Sequence, residues 1–96
     1  LPKEKYEKAM KLVKNGDIIN FAHESEPFSV SAFVISGKNQ YMTVISEDGY
    51  KCSCKWNNVS KGICKHIGAL ALESKLNGIR HPTIDKVIEE MENNGG

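Results

Sequence analysis

The sequence predicts an α+β fold: a small antiparallel β-meander of three to four strands, packed with helices and stapled by a metal ion. Three observations predict it. Apolar residues recur at helical spacing near both ends of the chain. Between those ends, residues 17–52 read as short β segments broken by polar turns. All three cysteines fall between Cys52 and Cys64, beside a histidine.

The elements follow in order. Residues 2–14 read as an amphipathic helix, because Tyr6, Ala9, Met10 and Val13 keep the i, i+3, i+4, i+7 spacing. Pro2 suits its first position and Asn15-Gly16 its end. Asp17–His23 is a first strand carrying Ile18, Ile19 and Phe21, and Glu24–Pro27 is a polar turn. Phe28–Ser36 begins with clean alternation. Its later part, Phe33-Val34-Ile35, is apolar on both faces, which predicts a central strand covered on both sides. Gly37-Lys38-Asn39 turns the chain into a third strand, Gln40–Ser46, and Glu47-Asp48-Gly49 into a short edge strand, Tyr50–Cys52. No connection is long enough for a crossover helix, so the pairing is antiparallel.

After Cys64 the period changes. His66–Leu76 reads as a helix ending at Asn77-Gly78, and Thr83–Met91 as a last helix with Ile84, Val87, Ile88 and Met91 on one face. Asn93–Gly96 reads as a frayed end. With no internal repeat and no long linker, residues 1–96 are read as a single domain.

Composition narrows the function classes. The formal net charge is +1, so contact with nucleic acid needs a local basic patch rather than the charge of the whole molecule. No apolar stretch approaches the ~18 residues of a membrane span, and Leu1-Pro2 leads into a charged segment without a signal-peptide pattern. The chain starts on Leu1 rather than Met, as a trimmed product or a fragment would. Three clustered cysteines do not make a disulfide framework, which needs pairs and spreads them along the chain. Reduced thiols in the cytoplasm or nucleus fit better, and an intracellular location is expected.

Cys52-Ser53-Cys54 and Cys64-Lys65-His66 form two close pairs separated by a loop. Structural zinc takes four ligands in a tetrahedron, drawn from thiolate and imidazole, and here are three thiols and one imidazole. In an extended strand residues 52 and 54 share a face, so both sulfurs can reach one ion. Inside an α-helix residues two apart diverge by about 200°, so Cys64 and His66 could not share a metal there. Cys64 is therefore placed at or before the N-cap and His66 in the first turn, where the helix dipole presents its positive end to the thiolates. The competing readings are three buried free thiols with a surface histidine, or a redox pair or thiol nucleophile. With four protein ligands the site keeps no open position, so no enzyme is expected. His23 and His81 lie apart from the cluster, as a strand-surface residue and a turn residue.

The arrangement resembles the SWIM zinc finger, whose signature is Cys-x-Cys, a variable spacer and Cys-x-His on a strand-turn-helix. The residues that carry the likeness are Cys52-Ser53-Cys54, Cys64-Lys65-His66 and the helix opening Ile67-Gly68-Ala69-Leu70-Ala71-Leu72, within a finger spanning roughly 40–76. The helix at 83–91 has no assigned counterpart in the family. The resemblance implies one structural zinc ion per chain. It also implies an accessory role in DNA transactions of the recombination and repair kind, through a protein partner such as a recombinase-like or other DNA-processing factor, with DNA as a second partner. Neither a membrane nor a small-molecule substrate is implied.

Lys51, Lys55, Lys61 and Lys65 surround the ligands. Three thiolates on one Zn²⁺ leave a net negative site, and the lysines either offset that charge or hold phosphates. Trp56 either covers the zinc site or offers a stacking surface to a base. Lys55, Trp56, Lys61 and Lys65 are thus the candidate nucleic-acid contacts. The alternative is a pure protein-interaction adaptor, or a fragment of a larger SWIM-containing protein, with no direct nucleic-acid contact.

Overall fold

A computed structural model describes residues 4–54 and 63–93. Helix α1 (Glu4–Lys14) leads into strands β1 (Ile18–Ser25), β2 (Phe28–Ser36), β3 (Asn39–Ser46) and β4 (Gly49–Cys52), followed by helices α2 (Lys65–Leu76) and α3 (Pro82–Asn93). The strands pair in sequence order as one antiparallel sheet. This is the α+β meander predicted, with four strands. Pro2 and the C-terminal residues 94–96 lie outside the described residues.

Backbone chemistry sets the ends of the first two helices. At the end of α1 the Gly16 N–H donates to the Val13 carbonyl and the Asp17 N–H to the Leu12 carbonyl, with Gly16 at φ 73°. At the end of α2 the Gly78 N–H reaches Lys75 and the Ile79 N–H reaches Ser74, with Gly78 at φ 81°. Both are Schellman closures, in which a glycine takes the left-handed conformation at little steric cost. Helix α3 starts differently. Pro82 occupies its first turn, and the Thr83 N–H donates to His81 Nδ1 at 3.1 Å. The His81 ring also stacks on Phe28 at 3.9 Å between centroids. His81 therefore caps a helix and packs on the sheet, which its position before a proline did not reveal.

In β2 the side chains alternate. Phe28, Val30, Ala32 and Val34 are buried, while Ser29, Ser31, Phe33 and Ile35 are half-buried. Their partners share this division: Thr43 and Ile45 are buried opposite Ala32 and Val30, and Met42 is exposed opposite Phe33. Among the described residues the core forms on the first face only, where α1, α2 and α3 pack. The expectation that β2 would be covered on both sides is therefore corrected. The strand is central in the sheet, yet Phe33 and Ile35 stand on the face away from the helices. Strand β1 also runs further than the first strand expected, to Ser25, and carries a bulge between Ile19 and Ala22 with Asn20 at φ 55°. One extra residue is absorbed there, and asparagine is among the few side chains that tolerate this conformation.

Helix α2 is the centre of the molecule. His66, Ile67, Gly68, Ala69, Leu70, Ala71, Leu72 and Ser74 are all buried, so it hides nearly its whole circumference, as a helix apolar all round must. It is wedged between α1, α3 and the sheet. A Cβ on Gly68 would run into the thioether of Met91 in α3 and lie 3.2 Å from the Ala9 Cβ in α1, so glycine allows three helices to meet there. The two buried hydroxyls are satisfied: Thr43 donates to the Ala32 carbonyl at 2.9 Å and Ser74 to the Leu70 carbonyl at 2.8 Å. On α3, Ile84, Val87, Ile88 and Met91 are buried and cap the core.

Candidate metal centre

The end of β4 and the start of α2 bring four donor groups together. Cys52 is the last residue of β4 and faces the core opposite Thr43. The chain then turns: the Ser53 N–H bonds the Met42 carbonyl, the Ser53 hydroxyl accepts from the Met42 N–H, and the Cys54 N–H donates to Cys52 Sγ at 3.4 Å. This turn returns Cys54 to the side of Cys52, with Ser53 exposed between them. Across the site Cys64 is the N-cap of α2, extended at φ −98° and ψ 169°, and His66 lies in the first turn. That is the placement required by the divergence of side chains two apart on a helix.

The ligand atoms of Cys52, Cys54, Cys64 and His66 all lie within 4.8 Å of one another, and all four residues are buried. Nδ1 of His66 is 3.8 Å from Cys52 Sγ and 3.6 Å from Cys64 Sγ. Tetrahedral zinc, with bonds of about 2.3 Å to sulfur and about 2.0–2.1 Å to nitrogen, spaces its sulfur and nitrogen ligands about 3.6 Å apart. The site therefore fits zinc in donor chemistry and in spacing. Nδ1 is the nitrogen aimed at the sulfurs. On the far side of the ring, Nε2 is buried and has no hydrogen-bond partner among the described residues. Tyr41 packs against the imidazole at 4.4 Å between centroids and fixes the tilt of the ring.

The thiols differ in acidity. The Cys64 thiol is held well below the ordinary thiol range, first because it accepts a hydrogen bond from Cys52, then because the His66 ring and the Ile67 N–H also stabilise its thiolate; burial opposes this. Cys52 is pushed up, by donating to Cys64 and by its own desolvation. Without metal, Cys64 at the positive end of α2 loses its proton before Cys52 does. A bound Zn²⁺ neutralises most of the thiolate charge and ties the strand end to the helix start.

Of the other candidates, Lys65 is the first residue of α2, half-buried, and lines a cavity away from the ligands. Lys55, Trp56 and Lys61 lie outside the described residues. Lys51 is exposed and pairs with Val44 on the outer face of the sheet, not over the sulfurs. His23 and His81 take no part in the cluster. Lys8 and Lys11, which in the sequence belong to the solvated face of the first helix, line the same cavity as Lys65.

A strand end and a helix start that converge on three cysteines and one histidine define a structural zinc module. Residues 35–75 match the family model of the SWIM zinc finger, and the chain carries such a finger with one structural zinc ion. No curated protein and no solved structure matches the chain. Among the described residues no helix is long and apolar enough to cross a membrane.

Proposed function

We propose that this chain is an intracellular, non-catalytic accessory module for DNA transactions, whose zinc shapes a surface that contacts nucleic acid and a DNA-processing protein. The observation that supports this reading most is the closure of the metal site. Four buried protein side chains supply a full tetrahedron, so the ion serves architecture, and function falls to the surface that the ion holds in place. That surface includes Lys65, next in sequence to a ligand, with Lys55 and Lys61 nearby in the chain.

Titrating labelled single- and double-stranded DNA at two salt concentrations tests the reading. Replacing Lys55, Lys61 and Lys65 by Gln should weaken binding. It should also flatten the salt dependence by about 0.9 per lost contact on duplex, or about 0.7 on single strands. Equal, salt-insensitive signals from wild type and variant would remove direct DNA contact from the proposal.

One observation favours the adaptor reading as a second possibility. Ile19, Phe33 and Met42 form a cross-strand row on the outer face of the sheet, and Met42 is 52% exposed. An apolar row away from the helices is a surface suited to a protein partner. A partner retained from native extract after nuclease treatment, and lost with Phe33→Ser, would support it. A partner released by nuclease would favour DNA as the bridge.

A further inference from the structure

We infer that a groove between α1 and the start of α2, lined by Lys8, Lys11 and Lys65, seats the phosphodiester backbone of a nucleic acid. This rests on the proposed nucleic-acid role and names a surface for it that lies partly outside the finger, since α1 precedes the matched residues 35–75.

The groove is a cavity of about 390 Å³ where three parts of the chain meet: the outer side of α1, the β2–β3 turn and the first residue of α2. Lys8 and Lys11 are one turn apart on α1, both exposed, with Asn15 a turn beyond on the same side. Lys65 enters from α2, at a helix end whose first turn carries no acidic residue. Three lysines thus line one concave surface, and Asp17 is the single carboxylate among the described residues that line it. The whole chain carries a net charge of only +1, so this local excess of positive charge is a concentration, not a reflection of overall composition. Asn15 and Ser36 add neutral polar groups to the wall, suited to phosphate oxygens. The rim is open at Gly37, where an added Cβ would meet nothing within 4 Å, so a polymer can enter and leave the groove.

Two variants with opposite expected signs test the assignment. Lys8→Gln with Lys11→Gln removes two cations. Asp17→Asn removes the carboxylate and keeps the backbone bonds at residue 17, where the N–H donates to the Leu12 carbonyl and the carbonyl accepts from the Ile35 N–H. The probe is a labelled single-stranded oligonucleotide, with a duplex arm, titrated into the zinc-loaded chain between 50 and 200 mM salt. The double lysine variant should reduce the log–log salt slope by about 1.4 on single strands or about 1.8 on duplex. On single strands, wild type should then lose about sevenfold more affinity than the variant across that range. Asp17→Asn should bind more tightly than wild type. Melting temperatures should match wild type, since both lysines are exposed. If wild type binds and the double variant keeps its affinity and slope, the groove assignment is overturned while the proposed function stands on Lys55 and Lys61. If wild type binds neither probe at 50 mM salt, both are overturned.

Discussion

On one side of the first turn of α2, His66 is 6% exposed and its Nδ1 faces two sulfurs at 3.6 and 3.8 Å. On the other, its neighbour Lys65 looks into an open groove shared with two lysines of α1. The first side is buried, and each of its four residues offers one ligand atom to the metal site. The second is open to solvent, and its lysines are not among the buried side chains that make the core. Successive residues on a helix are separated by about 100°, so one turn can serve both ends. The difference separates what holds the molecule together from what it can offer a partner.

The largest effect should come from the buried side. Structural zinc sites contribute apparent free energies on the order of 10–16 kcal/mol in small fingers, against a net domain stability of about 5–15 kcal/mol. Cys54→Ser or Cys64→Ser should therefore unfold α2 and the turn after β4. The loss would be seen as lower helical circular dichroism and lost amide protection over residues 65–76. A variant with wild-type melting and exchange protection would show that packing alone seats α2.

An intermediate effect should come from Gly68, two residues after His66. Met91 is fully buried, so its thioether has little room to move from an added Cβ. Overpacking of this kind costs about 1–3 kcal/mol, while alanine returns up to about 1 kcal/mol of helix propensity. Gly68→Ala should thus lower stability by about 1–2 kcal/mol by denaturant titration. In a Met91→Ala background the same change should become neutral or stabilising. Simple additivity of the two would contradict the contact.

The smallest effect should come from the open side. Lys65→Gln should leave stability within about 0.5 kcal/mol of wild type, as surface substitutions usually do. His66→Gln, one residue along, should behave like the cysteine variants. Similar losses from both would erase the proposed division of the turn.

Much of this was legible in the chain. The ligand set was readable because the two close pairs supply four donors and helical divergence forces Cys64 out of the helix whose first turn holds His66. The expected strand alternation at Cys52 and Cys54 is replaced by a turn after β4 that brings both to the same side. Asn15-Gly16 and Asn77-Gly78 marked helix ends because glycine alone takes the left-handed conformation there at low cost. The covering of the sheet was not legible. Phe33-Val34-Ile35 reads as a fully buried strand, since local pattern does not count the helices available for each face. Nor was the groove, because Lys8 and Lys11 on a solvated helix look like any charged face until the fold sets Lys65 beside them. The dual role of His81, capping α3 and stacking on Phe28, likewise depends on a contact between residues far apart in sequence.

The central claim is that a single zinc ion, held by three sulfurs and one nitrogen, joins β4 to α2. Elemental analysis of chain purified without added metal, with circular dichroism followed during acidification, tests it most directly. The account predicts one zinc per chain. It also predicts metal release as the pH falls and protons compete for the thiolates, with loss of helical signal in step with that release. A metal-free chain that is fully folded, or zinc released with no change in helical signal, would contradict it.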